Sequence, residues 1–366
     1  MGISPITKRN IYRILPFGLI WLIFACLFLW IEYAAIGDQA NTPKAAIKIT
    51  SSILIFALSG ITLIGLLIGC IEILFLNRLF VKQSFIVKII SKFFIYMLFF
   101  FLMILINYPI AASIELNTSI LDERVWDKYT TFFFSLTHVS AIIQLTFSLL
   151  ISLLYSEISE NLGQNLLLNF FTGKYHHPKS ESRVFMFVDM KSSTSIAEQL
   201  GHIEYFTFLR SYYYDLANAI VKNHGEVYQY IGDEIVISWK LHKGIQNNNC
   251  VKCFFDMKKD LFLKKASYLK RHKIFPEFKA ALHCGEVTTG EIGALKKEIF
   301  FTGDVLNTTA RIQSLCNTYD TELLISEQLK NQLNLGDNYA IEALHKHQIK
   351  GKSELVTIFS VQENGF

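Results

Sequence analysis

Arg183-Val-Phe-Met-Phe-Val-Asp-Met-Lys-Ser-Ser-Thr194 and Tyr228-Gln-Tyr-Ile-Gly-Asp-Glu-Ile-Val-Ile-Ser-Trp239 are the two stretches on which the rest of this chain hangs. In the first, an apolar run of strand length, Val184–Val188, stops at Asp189 and is followed by Ser and Thr residues suited to starting a helix. In the second, Val227–Ile231 and Ile235–Trp239 flank Gly232-Asp233, a tight hairpin turn with its acid at the tip. Two carboxylates are thereby offered from strand ends. Such a pair suits hard divalent cations, because Mg²⁺ takes one or two protein carboxylates and fills its remaining positions with water and phosphate oxygens. Backbone N–H groups at Met190–Thr194, including Ser193 and Thr194, would face those phosphates from the next helix N-terminus. The competing reading is that each acid merely caps a helix or a turn.

Outward from this pair the composition divides. The chain has 366 residues, 51% of them apolar, and the long apolar runs are confined to about residues 1–155. The runs at about 15–36, 49–76, 85–110 and 130–155 are each long enough to cross about 30 Å of hydrocarbon, so a four-helix transmembrane domain in contact with a lipid bilayer is expected. The first lacks a small-residue cleavage site and is read as a retained helix. Asn77–Lys92 carries Arg78, Lys82, Lys88 and Lys92 without an acid, whereas Ala111–Tyr129 is rich in acids. The basic bias places both termini in the cytoplasm of a multi-pass protein of the inner or plasma membrane. Glu72, near the cytoplasmic end of its span, is expected to snorkel, and His138 to be a neutral histidine bonded between helices.

Residues 156–182 read as an amphipathic signalling helix and linker, with Ile158, Leu162, Leu166 and Phe170 on one face and Pro178 in the linker. That face pairs either with its copy in a second chain or with its own domain. Residues 183–366 alternate strands and helices, including a helical region over Ser193–Asn223 and another over Ile245–Lys273. The net charge of +4 is spread out, which argues against a nucleic-acid partner. Six scattered cysteines make no disulfide framework, and Cys250-Val-Lys-Cys253 lacks a second pair for a zinc site. Gly285, Gly290 and Gly293 permit close backbone approach.

In Phe301-Thr-Gly-Asp-Val-Leu-Asn-Thr-Thr-Ala-Arg-Ile-Gln313, a helix beginning near Asp304 sets Asn307 and Arg311 at i and i+4. An amide and a guanidinium on one face suit a ribose oxygen and a phosphoryl oxygen. His347-Gln-Ile-Lys350-Gly-Lys352 offers lysines for a triphosphate tail.

These four separated motifs occur in the order and approximate spacing of the class III adenylate/guanylate cyclase homology domain, and Arg183–Phe366 resembles that family throughout. The resemblance implies a ferredoxin-like α/β catalytic domain, a homodimer with active sites shared across its interface, and ATP, or else GTP, as substrate. It further implies that Asp189, Asp233 and the Met190 backbone carbonyl hold two divalent cations, Mg²⁺ or Mn²⁺. Asn307, Arg311 and Lys350, with Lys352 as the alternate, would come from the other subunit. By the same resemblance Gln229 and Phe300 stand where adenylate cyclases present Lys and Asp or Thr, and guanylate cyclases Glu and Cys, so neither code for the base is met. A catalytically silent nucleotide-binding module and a channel or transporter with a regulatory domain are the readings from other classes.

Overall fold

A computed structural model describes residues 4–36, 47, 50–80, 83–162, 169, 172–344, 347–348 and 355–364. The chain forms two compact units, one spanning Thr7–Leu168 and one built on Asn169–Phe366.

In the first unit, helices α1 (Pro5–Ile36), α2 (Ser51–Ile71), α3 (Phe85–Leu116) and α5 (Leu136–Leu162) contain four segments long and apolar enough to cross a membrane. Gly65 and Gly69, one turn apart on α2, let α1 pack closely: a Cβ on Gly65 would lie 2.7 Å from the Trp21 Cβ, and one on Gly69 3.0 Å from the Phe17 ring. Trp21 donates its indole N–H to Ser152 Oγ of α5 at 3.0 Å.

Two expectations are corrected here. The fourth run does not cross as 130–155, because Thr130–Phe133 belong to a separate amphipathic helix, α4 (Glu123–Phe133), which buries Val125, Tyr129 and Phe132. Asp122 caps α4 through the Arg124 amide at 3.0 Å, and a break at Phe134-Ser135 lets the span start afresh at Leu136. Glu72 does not snorkel. It is fully buried in a π-helical turn, Glu72–Leu76, where it accepts from Lys92 and, at 3.0 Å, from the Tyr96 hydroxyl. Lys92, read as part of a loop, lies inside α3 with Tyr96 one turn on, so both donors meet the carboxylate. An uncompensated charge in that position would be costly, and a long carboxylate reach to water is not needed once it is paired. His138, on α5, has Nδ1 2.8 Å from the carbonyl oxygen of Phe133 at the end of α4, a contact between two helices as expected.

Ser156–Leu162 continue α5. Gly163–Leu168, with the apolar position Leu166, and Phe170 lie outside the described residues, as does most of the expected signalling helix beyond Leu162.

The second unit opens with strand β1 (Lys179–Met190), which begins inside the stretch expected to be linker because Lys179–Ser182 pair with Glu286–Thr289. Then come α6 (Ser193–Leu200), α7 (His202–Lys222), β2 (Glu226–Ile231), β3 (Glu234–Lys240), α8 (Asn249–Phe262), α9 (Lys265–His272) and β4 (Phe278–Ile292). The helical region expected over Ser193–Asn223 is split at Gly201, whose φ of 75° breaks the hydrogen-bond ladder.

These four strands lie in the order β2-β3-β1-β4, all antiparallel, which with the intervening helices is the βαββαβ arrangement of a ferredoxin-like fold. β5 (Glu298–Thr302) hangs on β4, and helix α10 (Asp304–Ser314) follows it. The sheet is then extended by β6 (Leu323–Ser326), β7 (Tyr339–Ala343) and a final strand. A small ladder, β8 (His347–Gln348) with β9 (Leu355–Val356), precedes that strand, β10 (Ile358–Glu363).

β1 is buried on both faces, which is why it reads as a continuous apolar run. Val184, Met186 and Val188 join Phe208, Tyr212, Leu216 and Phe254 of the helical layer, while Phe185 and Phe187 pack with Val287, Phe301 and Val305 on the other side. Cys250 and Cys253 are buried free thiols of α8.

Helix α10 seats on β4 where Gly285 leaves room: a Cβ there would stand 2.7 Å from Val305 Cγ2. Gly285→Val is therefore expected to destabilise the protein by about 1–3 kcal/mol through overpacking. A thermal melt checks this, and an unchanged midpoint would show that α10 is not held at this contact.

Candidate functional site

The β1–β3 ladder runs out at Val188 opposite Ile235, so the next residues on each strand, Asp189 and Glu234, emerge at the same sheet end, with Asp233 at the hairpin tip beside them. Gly232 makes the turn with φ 63°, a conformation open to glycine. The Tyr213 hydroxyl donates to the Gly232 carbonyl at 2.7 Å, and its ring packs against Tyr230 with centroids 4.5 Å apart. The tip is thus tied to α7.

The electrostatics of this end are those of crowded acids. The Glu234 carboxyl is pushed up to about 7, by burial first and then by the charges of Asp189 and Asp233. Burial, together with the same two acids, also raises the Tyr205 hydroxyl. Asp233 Oδ2 is buried without a hydrogen-bond partner. A buried carboxylate oxygen left unpaired is costly unless something positive completes it. Among the described residues no cluster of three or more His, Cys, Asp or Glu side chains forms a metal cage. The donor set is instead two carboxylates beside the backbone of Met190, which fits cations that keep most of their ligands as water and phosphate.

Asp189 is less bare than Asp233. Its Oδ2 accepts from Gln313 Nε2 at 3.1 Å and lies 3.2 Å from Lys279 Nζ, which also donates to Asn317 Oδ1 at 2.8 Å. Neither Gln313 nor Lys279 was singled out by sequence. Gln313 lies off the Asn307/Arg311 face, and Lys279 is a single lysine in the otherwise apolar stretch Phe278–Leu282. No local pattern marks either.

Helix α10 buries Val305, Thr308, Thr309, Ile312 and Gln313. This leaves Asn307 exposed and Arg311 half-buried, and among the described residues neither side chain is engaged in a hydrogen bond or ion pair. Among the described residues no hydrogen bond or ion pair joins Asn307 or Arg311 to Asp189 or Asp233 within one chain. Ser193 and Thr194 open α6, directly after the strand end, where their amides lack helical partners. Lys350 and Lys352 lie outside the described residues.

Tyr228 and Phe301 meet with ring centroids 4.8 Å apart, and the Phe301 amide donates to the Tyr228 hydroxyl at 3.4 Å. Gln229, just past a bulge at Tyr228, and Phe300 on β5 are both exposed.

Residues 176–362 match the family model described as the adenylate and guanylate cyclase catalytic domain. The chain is 32% identical over 204 residues to adenylate cyclase 2 of Rhizobium meliloti (strain 1021), a match covering 56% of each protein. It is 26% identical over 184 residues to human retinal guanylyl cyclase 2, covering 49% of this chain and 16% of that one. The chain thus spans about half, or less, of the length of these relatives. Among solved structures, a bacterial light-regulated adenylyl cyclase aligns with a TM-score of 0.52 at 19% identity, over 62% of this chain and 66% of the other.

Proposed function

The chain belongs to the adenylate and guanylate cyclase catalytic domain family, and from that premise we propose that it is a membrane-bound nucleotidyl cyclase that converts ATP to 3′,5′-cyclic AMP and pyrophosphate in a homodimer with shared active sites. The observation that carries the proposal is the pairing of opposite deficits. Among the described residues, Asp233 Oδ2 at one strand end is buried without a hydrogen-bond partner, while on α10 the Asn307 and Arg311 side chains, open to solvent, make no hydrogen bond or ion pair. A second copy supplies each deficit with its complement. ATP as substrate is supported by the relative in Rhizobium meliloti, which is named an adenylate cyclase.

When bound at Asp189, Asp233 and the Met190 carbonyl, two Mg²⁺ or Mn²⁺ ions would supply activation of the ribose 3′-hydroxyl and neutralisation of phosphate charge. With those ions bound, Asp189 and Asp233 would fix where the triphosphate end of the substrate sits. Arg311 of the other subunit offsets negative charge growing on the α-phosphoryl oxygens, and Asn307 orients the ribose so that its 3′-oxygen lies in line for attack. The Ser193 and Thr194 amides, at a helix N-terminus, and Lys350 or Lys352 bind the phosphate oxygens. The 3′-oxygen forms its bond to the α-phosphorus as pyrophosphate leaves.

Residues up to Leu162 act as a transmembrane anchor or sensor with both termini in the cytoplasm, residues 163–178 as the connection that carries its signal, and residues from Lys179 onward as the catalytic domain. Support for the orientation comes from the pairing of Arg13 with Glu160 at 3.3 Å and of Lys88 with Glu157 at 3.2 Å, which gathers the basic residues at the end of the unit where α5 leaves it. Cyclic AMP formation from ATP and Mn²⁺ by the purified full-length chain tests the assignment. Nucleotide binding without product would favour the silent-module reading, which the unusual base positions support.

Gln229 can donate and accept through its amide and so meets either purine edge, while Phe300 offers only packing. Initial rates are expected to favour ATP over GTP by about tenfold, and Gln229→Ala to lower kcat/KM for ATP by about tenfold. An ATP preference that survives Gln229→Ala intact removes Gln229 from base recognition.

A further inference from the structure

Gln313 sits two residues beyond Arg311 on the same helix, yet its side chain reaches back to Asp189 of its own chain. Gln313 and Lys279 are both more than nine-tenths buried, and both address the same oxygen, Oδ2, at 3.1 and 3.2 Å. Asp189 Oδ1 carries neither contact. A carboxylate free to turn about its last torsion offers a cation a different oxygen in each orientation. Held on one oxygen by a buried amide hydrogen bond and a buried ammonium, it presents the other in a single direction, and hydrogen-bonded supports such as the amide's are what orient metal-ligating carboxylates.

The two donors differ in what they cost the site. The Lys279 ammonium repels an incoming cation while it fixes the carboxylate, so its removal mixes two opposing effects. Gln313 is neutral and contributes orientation alone.

Resting on the cyclase reading above, we propose that Gln313 is a positioning residue that aims Asp189 at the cation in its own chain's active site, so that one helix, α10, serves two sites. Asn307 and Arg311 point outward to the partner's substrate, and Gln313 points inward to the metal acid.

The test uses the full-length chain purified in detergent, with Mn²⁺ binding measured by electron paramagnetic resonance in the presence of 3′-deoxy-ATP, which cannot cyclise. Gln313→Leu is expected to weaken Mn²⁺ binding about tenfold, and the corresponding loss of cyclisation rate to be recovered at saturating Mn²⁺. Asp189→Ala is measured beside it. Loss of Mn²⁺ binding in Asp189→Ala with wild-type binding in Gln313→Leu overturns the inference and leaves the cyclase reading standing. Wild-type binding in Asp189→Ala overturns both.

Mixed dimers separate aiming from mere support of the helix. A dimer of one Asp189→Ala chain and one Arg311→Ala chain has a single complete site, whose Asp189 comes from the Arg311→Ala chain. Gln313→Leu placed in that chain should raise the half-saturating Mn²⁺ concentration about tenfold. Placed in the Asp189→Ala chain it should leave that concentration where the control has it. An equal shift from both placements would mean that Gln313 acts through the seating of α10, and the inference fails.

Discussion

Asp189→Ala is expected to lower nucleotide cyclisation by about three orders of magnitude, and Asp233→Asn to do the same without lowering the stability of the metal-free protein. The two halves of this result have one cause. Asp233 has a buried oxygen with no partner, and its charge helps to hold the Glu234 carboxyl at about 7. For an acid raised in the folded state, the favourable contribution is complete below its unfolded value and is lost as pH rises through the folded value. Above about pH 7 the Glu234 carboxylate therefore adds its charge to the acids of the metal-free site. Asp233→Asn removes one of them at nearly constant volume, so the thermal midpoint of the metal-free protein at pH 8 should rise. Activity should vanish because the same crowding is what attracts the cations. Were Asp233→Asn both less stable and fully active, the acid would be a turn-former and the site would lie elsewhere.

Mixed dimers give the second large effect. Arg311→Ala alone should cost cyclisation about 10²–10³-fold, since it removes a charge-stabilising donor. Asp189→Ala alone should be inactive as well. Coexpressed, the two chains should regain about a quarter of wild-type activity, because random pairing makes about half of the dimers mixed and each mixed dimer has one complete site of two. The basis is that among the described residues Asn307 and Arg311 have no side-chain partners in their own chain and no bond to either acid. Separately tagged chains isolated as mixed dimers supply the measurement. If the pair stays inactive, both residue sets act within one chain, and the shared-site reading is wrong.

Much of the soluble unit was legible because its signals are local. The stop of an apolar run at Asp189, the Gly-Asp turn at 232–233 and the i, i+4 spacing of Asn307 and Arg311 each depend on a few adjacent residues, and the strands, turn and helix stand where these patterns put them. In the apolar half, four long helices were equally readable by length. The start of the last one was not. Thr130–Phe133 are as apolar as a span, and only the Asp122 cap and the break at Phe134-Ser135 assign them to another helix.

What the sequence by itself determined is the inventory: four helices long and apolar enough to cross a membrane, a βαββαβ unit, two acids at strand ends, and an amide with a guanidinium on one helix face. Periodicity and turn chemistry act over a turn or a strand, so they can be read from neighbours in the chain. The tertiary structure alone decided which groups answer one another across long separations. Lys92 meets Glu72 only because α2 and α3 pack side by side, and Gln313 meets Asp189 across 124 positions only because α10 lies against β1 and β4. Such pairings follow from the packing of whole elements, and the energy that makes them necessary, the cost of a buried charge or polar group left alone, arises only once burial has occurred.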